Sequence, residues 1–109
     1  MATSKLPDWY KHLQTHHAAY IQALEQLGKT IREDGPLDAK TAQLVQLSAA
    51  AANGSQGAVH SHVRQALTCG ATSQEIQHAL KLATSTIGFP AVAAALSWAD
   101  QVFEAQTGD

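Results

Sequence analysis

Apolar side chains recur every three or four residues along most of this chain, and short turns containing glycine or proline interrupt the pattern. This period is typical of amphipathic helices, whereas strands alternate every second residue. The densest example is the run LDAKTAQLVQLSAAAANG, in which four consecutive alanines precede an Asn-Gly turn. Alanine has the highest intrinsic helix propensity. The sequence therefore predicts an all-α fold.

Capping and turn residues divide the chain into helices. Asp38 is a good helix N-cap, a further helix begins near Ser55, and Thr72 with Glu75 three residues later matches a capping box. Five helices follow, over about residues 8–32, 38–53, 55–69 and 72–87, and from the Gly88–Pro90 break to beyond Phe103. A chain of 109 residues fits one domain. We expect a single domain, residues 1–109, built as a helical bundle.

Charge and hydropathy exclude several classes of partner. The net charge is −2, and the 7 lysines and arginines form no basic stripe, which argues against nucleic acid. The longest apolar run covers about residues 87–96 and contains Pro90, whereas a membrane span needs about 20 residues. The N-terminus, MATSKLPDWY, has no hydrophobic signal core. We expect a cytoplasmic protein with no membrane partner.

Four motifs occur in a fixed order over about residues 37–103. They are LDAKTAQLVQLSAAAANG, SQGAVHSHVRQAL with its His-Val-Arg, the CGATSQEIQHAL turn and helix start, and the GFPA break. Together they resemble the carboxymuconolactone decarboxylase family, which includes alkylhydroperoxidase-D-like proteins. The resemblance implies an alkylhydroperoxidase-D-like helical fold. It also implies a homo-oligomer, for which we expect a hexamer built as a trimer of dimers.

The peroxidase branch of that family uses a glutamate and a Cys-x-x-Cys-x-x-x-His motif. The glutamate position falls at Gln43, the two cysteine positions at Ser55 and Ala58, and the histidine position at His62. Only His62 matches. Cys69, the single cysteine, lies eleven residues beyond Ala58, roughly 16 Å along a helix. Because a thiol peroxidase needs a thiolate and a means to resolve the sulfenic acid, we expect no peroxidase activity. We expect Cys69 to be a packed or inert turn residue.

His62 is the candidate catalytic residue. A lone imidazole in a pocket is suited to general acid–base chemistry. The alternative is a core histidine that is hydrogen-bonded to a neighbour such as Gln43. The short turn at Gly54 predicts an antiparallel hairpin that brings Gln43 and His62 to comparable depths. Gln43, Ser55 and Ala58 are the expected binding positions around His62.

The remaining histidines suggest weaker sites. His60 points away from His62, since i and i+2 lie about 200° apart on a helix, and shares a face with Arg64. That face is suited to solvent, an anion or a partner subunit. His12 and His16 have the i, i+4 spacing that can bind zinc, but no third ligand is evident nearby. We expect no metal and no cofactor.

Three functions remain open. The first is decarboxylase-like proton transfer by His62 on a small acidic or carbonyl compound. The family's decarboxylase branch also lacks the cysteine pair, but it carries more ionisable residues near Ser55, Gly57 and Ala58 than this chain does. The second is a non-catalytic oligomer that binds a ligand or is a structural relic. The third is peroxiredoxin-type activity, suggested by family association alone.

Overall fold

A computed structural model describes residues 6–107 and contains only helices and turns within that range. The helices are α1 (Asp8–His16), α2 (Ala18–Glu33), α3 (Ala39–Ala52), α4 (Gln56–Thr68), α5 (Ser73–Leu82), α6 (Thr84–Ile87) and α7 (Phe89–Thr107). The all-α prediction is confirmed. Within the described residues, no helix combines the length and the apolar character needed to cross a membrane.

The chain divides at Asp38 into two compact units, a helical pair before it and a five-helix unit after it. The expected single domain over residues 1–109 stays a prediction, and residues 1–5 and 108–109 lie outside the described residues. All residues of the candidate site belong to the second unit.

The first predicted helix is wrong in one respect, because it is two helices rather than one. The break is at His17, whose backbone (φ −135°, ψ 50°) leaves the helical region. A contact distant in sequence spans this break. The Tyr10 hydroxyl donates a hydrogen bond to Glu25 over 2.6 Å, and Gln14 donates a second one to the same carboxylate. The bond to Glu25, helped by partial burial and the carboxylate charge, raises the pKa of Tyr10 to about 12.

Helices α3 and α4 form the predicted antiparallel hairpin and pack against each other more extensively than any other described pair. The Asp38 carboxylate caps α3 by accepting from the Thr41 N–H over 2.8 Å, and Ser55 caps α4 in the same way. Gly54 lies between the helices with φ 67°, a backbone conformation that favours glycine. These caps confirm the predicted starts of both helices.

The core of the second unit lies where α3, α4, α5 and α7 meet. Its largest fully buried side chains are Leu47, Val59, Val63, Ile76, Leu80 and Val92. Several alanines, including Ala51, Ala66, Ala95 and Ala99, are buried beside them. Because alanine has only a methyl group, the helix backbones lie close together at these positions.

The fourth predicted helix is also shorter than expected, since α5 ends at Leu82 and a single turn, α6, follows. The Thr84 hydroxyl donates to the carbonyl oxygen of Lys81 over 2.7 Å. Threonine hydroxyls compete in this way for helix carbonyl groups. The predicted capping box at Thr72 and Glu75 is confirmed, with both reciprocal hydrogen bonds formed.

Glu75 is expected to make stability depend on pH. The Thr72 backbone N–H and then Lys40 donate to its carboxylate and hold its pKa below the ordinary 4.5. A lowered native-state pKa stabilises the fold above the unfolded-state value, and this contribution is lost as pH falls through the native pKa.

We expect Glu75→Gln, which retains an acceptor for the cap, to unfold at a lower temperature than the parent at pH 7. The two proteins should converge towards about pH 2, where both side chains are neutral. Thermal unfolding followed by circular dichroism measures the difference. The exposed residue Asp100 supplies a control, Asp100→Asn, for general charge effects. A difference in unfolding temperature that persists unchanged at about pH 2 would contradict the assignment of this pH dependence to the Glu75 carboxylate.

Candidate functional site

The α3–α4 hairpin brings Gln43 and His62 together. Gln43 lies in the first half of α3 with its side chain turned into the unit, and it is 2% exposed. His62 lies in the middle of α4, and its Nδ1 is 2.9 Å from Gln43 Oε1. The predicted contact between these residues is confirmed. Its geometry follows from two helices that run antiparallel from a short turn.

A chain of hydrogen bonds extends from this contact. Gln43 Nε2 donates to Gln65 Oε1 over 3.0 Å, and Gln65 Nε2 donates to the Ser61 hydroxyl oxygen over 2.8 Å. Gln43 Oε1 must therefore accept from His62 Nδ1–H. A neutral imidazole protonated at Nδ1 has its basic lone pair on Nε2. The network thus sets the tautomer of His62.

The amide partner also determines how strongly the imidazolium is stabilised. A carboxylate at Gln43 would attract the protonated ring by its charge, as in catalytic triads. The amide oxygen accepts the same hydrogen bond but adds no net charge. The Gln43 contact therefore orients the His62 ring without adding a negative charge of its own.

His62 lines an open depression of about 600 Å³ on the surface of the second unit. The other described residues that line it are Gln46, Ala49, Ala50, Ala52, Asn53 and Ala58. Four of these are alanines, so the depression is bordered by methyl groups rather than by long side chains. Its size is within the range of small-molecule sites, although it is more open than most.

The structure separates the two motif positions that were expected to bind. Ala58 lines the depression beside His62. Ser55 instead caps α4, with its hydroxyl oxygen accepting from the Ala58 N–H over 3.2 Å. The local geometry therefore gives Ser55 a structural contact, and its expected binding role stays a prediction.

Sequence reasoning missed four polar residues of this region. Gln46 and Asn53 line the depression, and Gln65 and Ser61 continue the hydrogen-bond chain from Gln43. A helical-spacing argument would have found Gln46, which lies one turn after Gln43. Ser61 and Gln65 have the i, i+4 spacing at which side chains on one helix meet.

His60 lies on a different face of α4, as expected, but that face is not simply solvated. His60 Nε2 is 2.8 Å from Gln101 Oε1 on α7, and Gln56 approaches the same oxygen. His60 thus joins two helices. Arg64, one turn later, is partly buried, and this burial lowers its pKa.

The other candidate residues are not among those that line the depression. The His12 and His16 rings lie at exposed positions of α1, with their centroids 4.2 Å apart and their planes tilted by 36°. Within the described part of the chain, no group of three or more histidine, cysteine, aspartate or glutamate residues is arranged to hold a metal ion. Cys69 is the C-cap of α4, at the opposite end of that helix from Ser55. It is an exposed turn residue rather than a packed one.

The comparisons with known proteins agree with this architecture. No curated protein and no solved structure gave a significant match. The model of the carboxymuconolactone decarboxylase family matches residues 18–101, which extends the resemblance towards the N-terminus to include α2. Because the match covers most of the sequence, the chain belongs to the carboxymuconolactone decarboxylase family.

Proposed function

We propose that this protein catalyses proton transfer on a small acidic or carbonyl compound, with His62 as the general acid and base. The observation that carries the proposal is the oriented imidazole: its Nδ1–H is held by the buried amide of Gln43 beside an open depression. A positioned imidazole contributes about 10²–10⁴-fold to proton-transfer reactions.

The reaction needs no other reactant. In proton exchange, His62 Nε2 takes a proton from the carbon next to a carbonyl group, and the C–H electron pair moves into the enolate. The imidazolium then returns the proton to carbon. In a decarboxylation, His62 Nε2 takes the proton of the substrate's carboxyl group, the electron pair comes from the C–C bond that releases carbon dioxide, and the protonated ring returns the proton to carbon. Gln43 Oε1 accepts the Nδ1–H bond throughout and stabilises the ring orientation.

Replacement of His62 is expected to abolish the activity. Small β-keto acids, unsaturated lactone acids and ketones in D₂O form the test panel, with deuterium at the α-carbon followed by NMR. We expect the parent to accelerate exchange or decarboxylation of at least one compound, and His62→Gln to slow it by about 100-fold or more. His60→Gln, on another face of α4, is the matched control. Equal rates for the parent and His62→Gln would refute the role of His62.

The tautomer of His62 gives a test that is independent of any substrate. Long-range ¹H–¹⁵N NMR of the neutral imidazole should show the proton on Nδ1, because Gln43 Oε1 accepts from it. Gln43→Leu removes the acceptor and should abolish this preference, whereas Gln43→Glu should keep it. A proton found on Nε2 in the parent would mean that the amide chain runs in the opposite direction, from Ser61 towards His62.

Peroxiredoxin-type activity is the first alternative, and we expect it to be absent. Ser55 and Ala58 stand at the family's cysteine positions, and Cys69 is at the far end of α4. An assay with an alkyl hydroperoxide and a dithiol reductant should show no turnover above the rate of the reductant alone. The double variant Ser55→Cys, Ala58→Cys restores the Cys-x-x-Cys spacing and serves as the positive comparison. Turnover by the parent that disappears in Cys69→Ser would contradict this expectation.

The second alternative is a non-catalytic oligomer, and one observation favours assembly whether or not the protein is an enzyme. Four large side chains recur along one face of α2, namely Tyr20, Leu24, Leu27 and Ile31. Each is about half or more exposed in the single chain. A continuous apolar stripe on a helix is typical of a surface that a partner covers. We propose that copies of this chain assemble through it into a hexamer, as a trimer of dimers.

Substitution within this stripe is expected to reduce the assembly. Light scattering on the parent at micromolar concentration should give six times the mass of one chain. Leu24→Asp introduces a charge into the stripe and should shift the mass to a smaller species, because burying an unpaired charge is unfavourable. Gln22→Glu adds a charge on the opposite face of α2 and should not. A monomeric parent would contradict the proposal.

A further inference from the structure

The depression beside His62 is lined by the side-chain amide of Gln46, which makes no hydrogen bond to a described residue. Gln46 Oε1 is a buried oxygen with no hydrogen-bond partner. The same side chain lines the depression. A buried acceptor without a donor is unfavourable, and such groups in native proteins require an explanation. Gln46 therefore differs from Gln43, whose two amide atoms both have partners.

Because the Gln46 amide makes no hydrogen bond to a described residue, its side chain can change rotamer without losing one. It has three rotatable side-chain bonds, and no hydrogen bond to a described residue would break if its amide swung outwards. In the depression, the oxygen can accept from a ligand while Nε2 donates to the same ligand. The bound state would then satisfy an acceptor that is unsatisfied in the free protein. This difference favours a ligand that carries a donor next to an acceptor.

The charge of the lining restricts the ligand further. Among the described residues around the depression, none is a lysine, arginine, aspartate or glutamate. The polar side chains are two amides and the imidazole, with methyl groups between them. A carboxylate entering this surface would find a cationic partner only when His62 is protonated, whereas a neutral polar group does not depend on that proton.

We infer that the site binds an uncharged ligand with an adjacent hydrogen-bond donor and acceptor, such as a lactam, a primary amide or a hydroxy-carbonyl compound. Gln46 recognises this pair through its own amide. The inference rests on the proposed function for the location of the site, and it selects the neutral carbonyl class over the acidic one. It treats Gln46 as a specificity residue rather than a catalytic one.

Three probes of similar size distinguish a ligand with a donor and an acceptor, a ligand with an acceptor only, and an acidic ligand. They are 2-piperidinone, its N-methyl derivative, which has no N–H donor, and cyclopentanecarboxylate. Each is titrated into the full-length protein while the side-chain NMR signals of Gln46 and His62 are followed. We expect 2-piperidinone to shift both signals saturably and to bind about five- to tenfold more tightly than either of the other probes.

Gln46→Met tests the residue itself with a side chain of similar length. It should weaken 2-piperidinone binding by about five- to tenfold and affect the N-methyl compound less, because that compound offers the Gln46 amide an acceptor but no donor. It should also raise the Tm by roughly 4–8 °C, since the unsatisfied oxygen is gone. Gln74→Met, on an exposed position of α5, is the control and should change neither property.

Two results would overturn the inference. One is tighter binding of cyclopentanecarboxylate than of the lactam, and the other is an unchanged lactam preference in Gln46→Met. These outcomes are independent of the turnover experiments with His62→Gln. Lactam-selective binding without turnover would reject the proposed enzyme and keep the ligand class. Turnover of acids only, with no lactam selectivity, would reject the ligand class and keep the enzyme.

Discussion

The buried amide of Gln43 is the constraint on which the candidate site depends. Among the described residues it is the one buried polar side chain of the core. An unpaired buried donor or acceptor costs about 1–3 kcal/mol, so both amide atoms need partners. Those partners, His62 and Gln65, are on α4, one turn apart. The amide is satisfied only when α3 and α4 keep their present register, and that register orients the imidazole.

Small residues allow this arrangement. Alanines along α3 and α4 let the helices lie close enough for a glutamine and a histidine to meet across them. The same residue type on the outer side of α3 leaves a depression beside His62. Larger side chains at Ala49 or Ala58 would occupy the space that a ligand needs. The high alanine content of these helices thus accounts for both their close packing and the depression beside His62.

The side chains singled out from the sequence make different contacts in the structure. The Ser55 hydroxyl caps a helix, the Ala58 methyl group borders the depression, and the Gln43 amide contacts His62. His62 makes a hydrogen bond with the neutral Gln43 amide, which orients the ring. An imidazole is a side chain that can both accept and donate a proton.

The sequence by itself determined the helical class, the caps at Asp38 and Thr72, and the proximity of Gln43 and His62. These depend on local propensity, on hydroxyl and carboxylate caps, and on a short turn that favours an antiparallel pair. Only the tertiary structure decided where the long helices break. At His17 no glycine or proline marks the chain, and helical periodicity continues through it.

The tertiary structure also decided which polar residues share the site. Gln46, Ser61, Gln65 and Asn53 lie within the quoted motifs, but nothing in those motifs marks them as site residues, and glutamine on a helix is usually a solvated residue. Their roles depend on how far each amide reaches across a neighbouring helix, on the direction in which a hydrogen-bond chain runs, and on whether any donor is left for the last oxygen. Those are properties of packed side chains in three dimensions, and periodicity along the chain does not specify them.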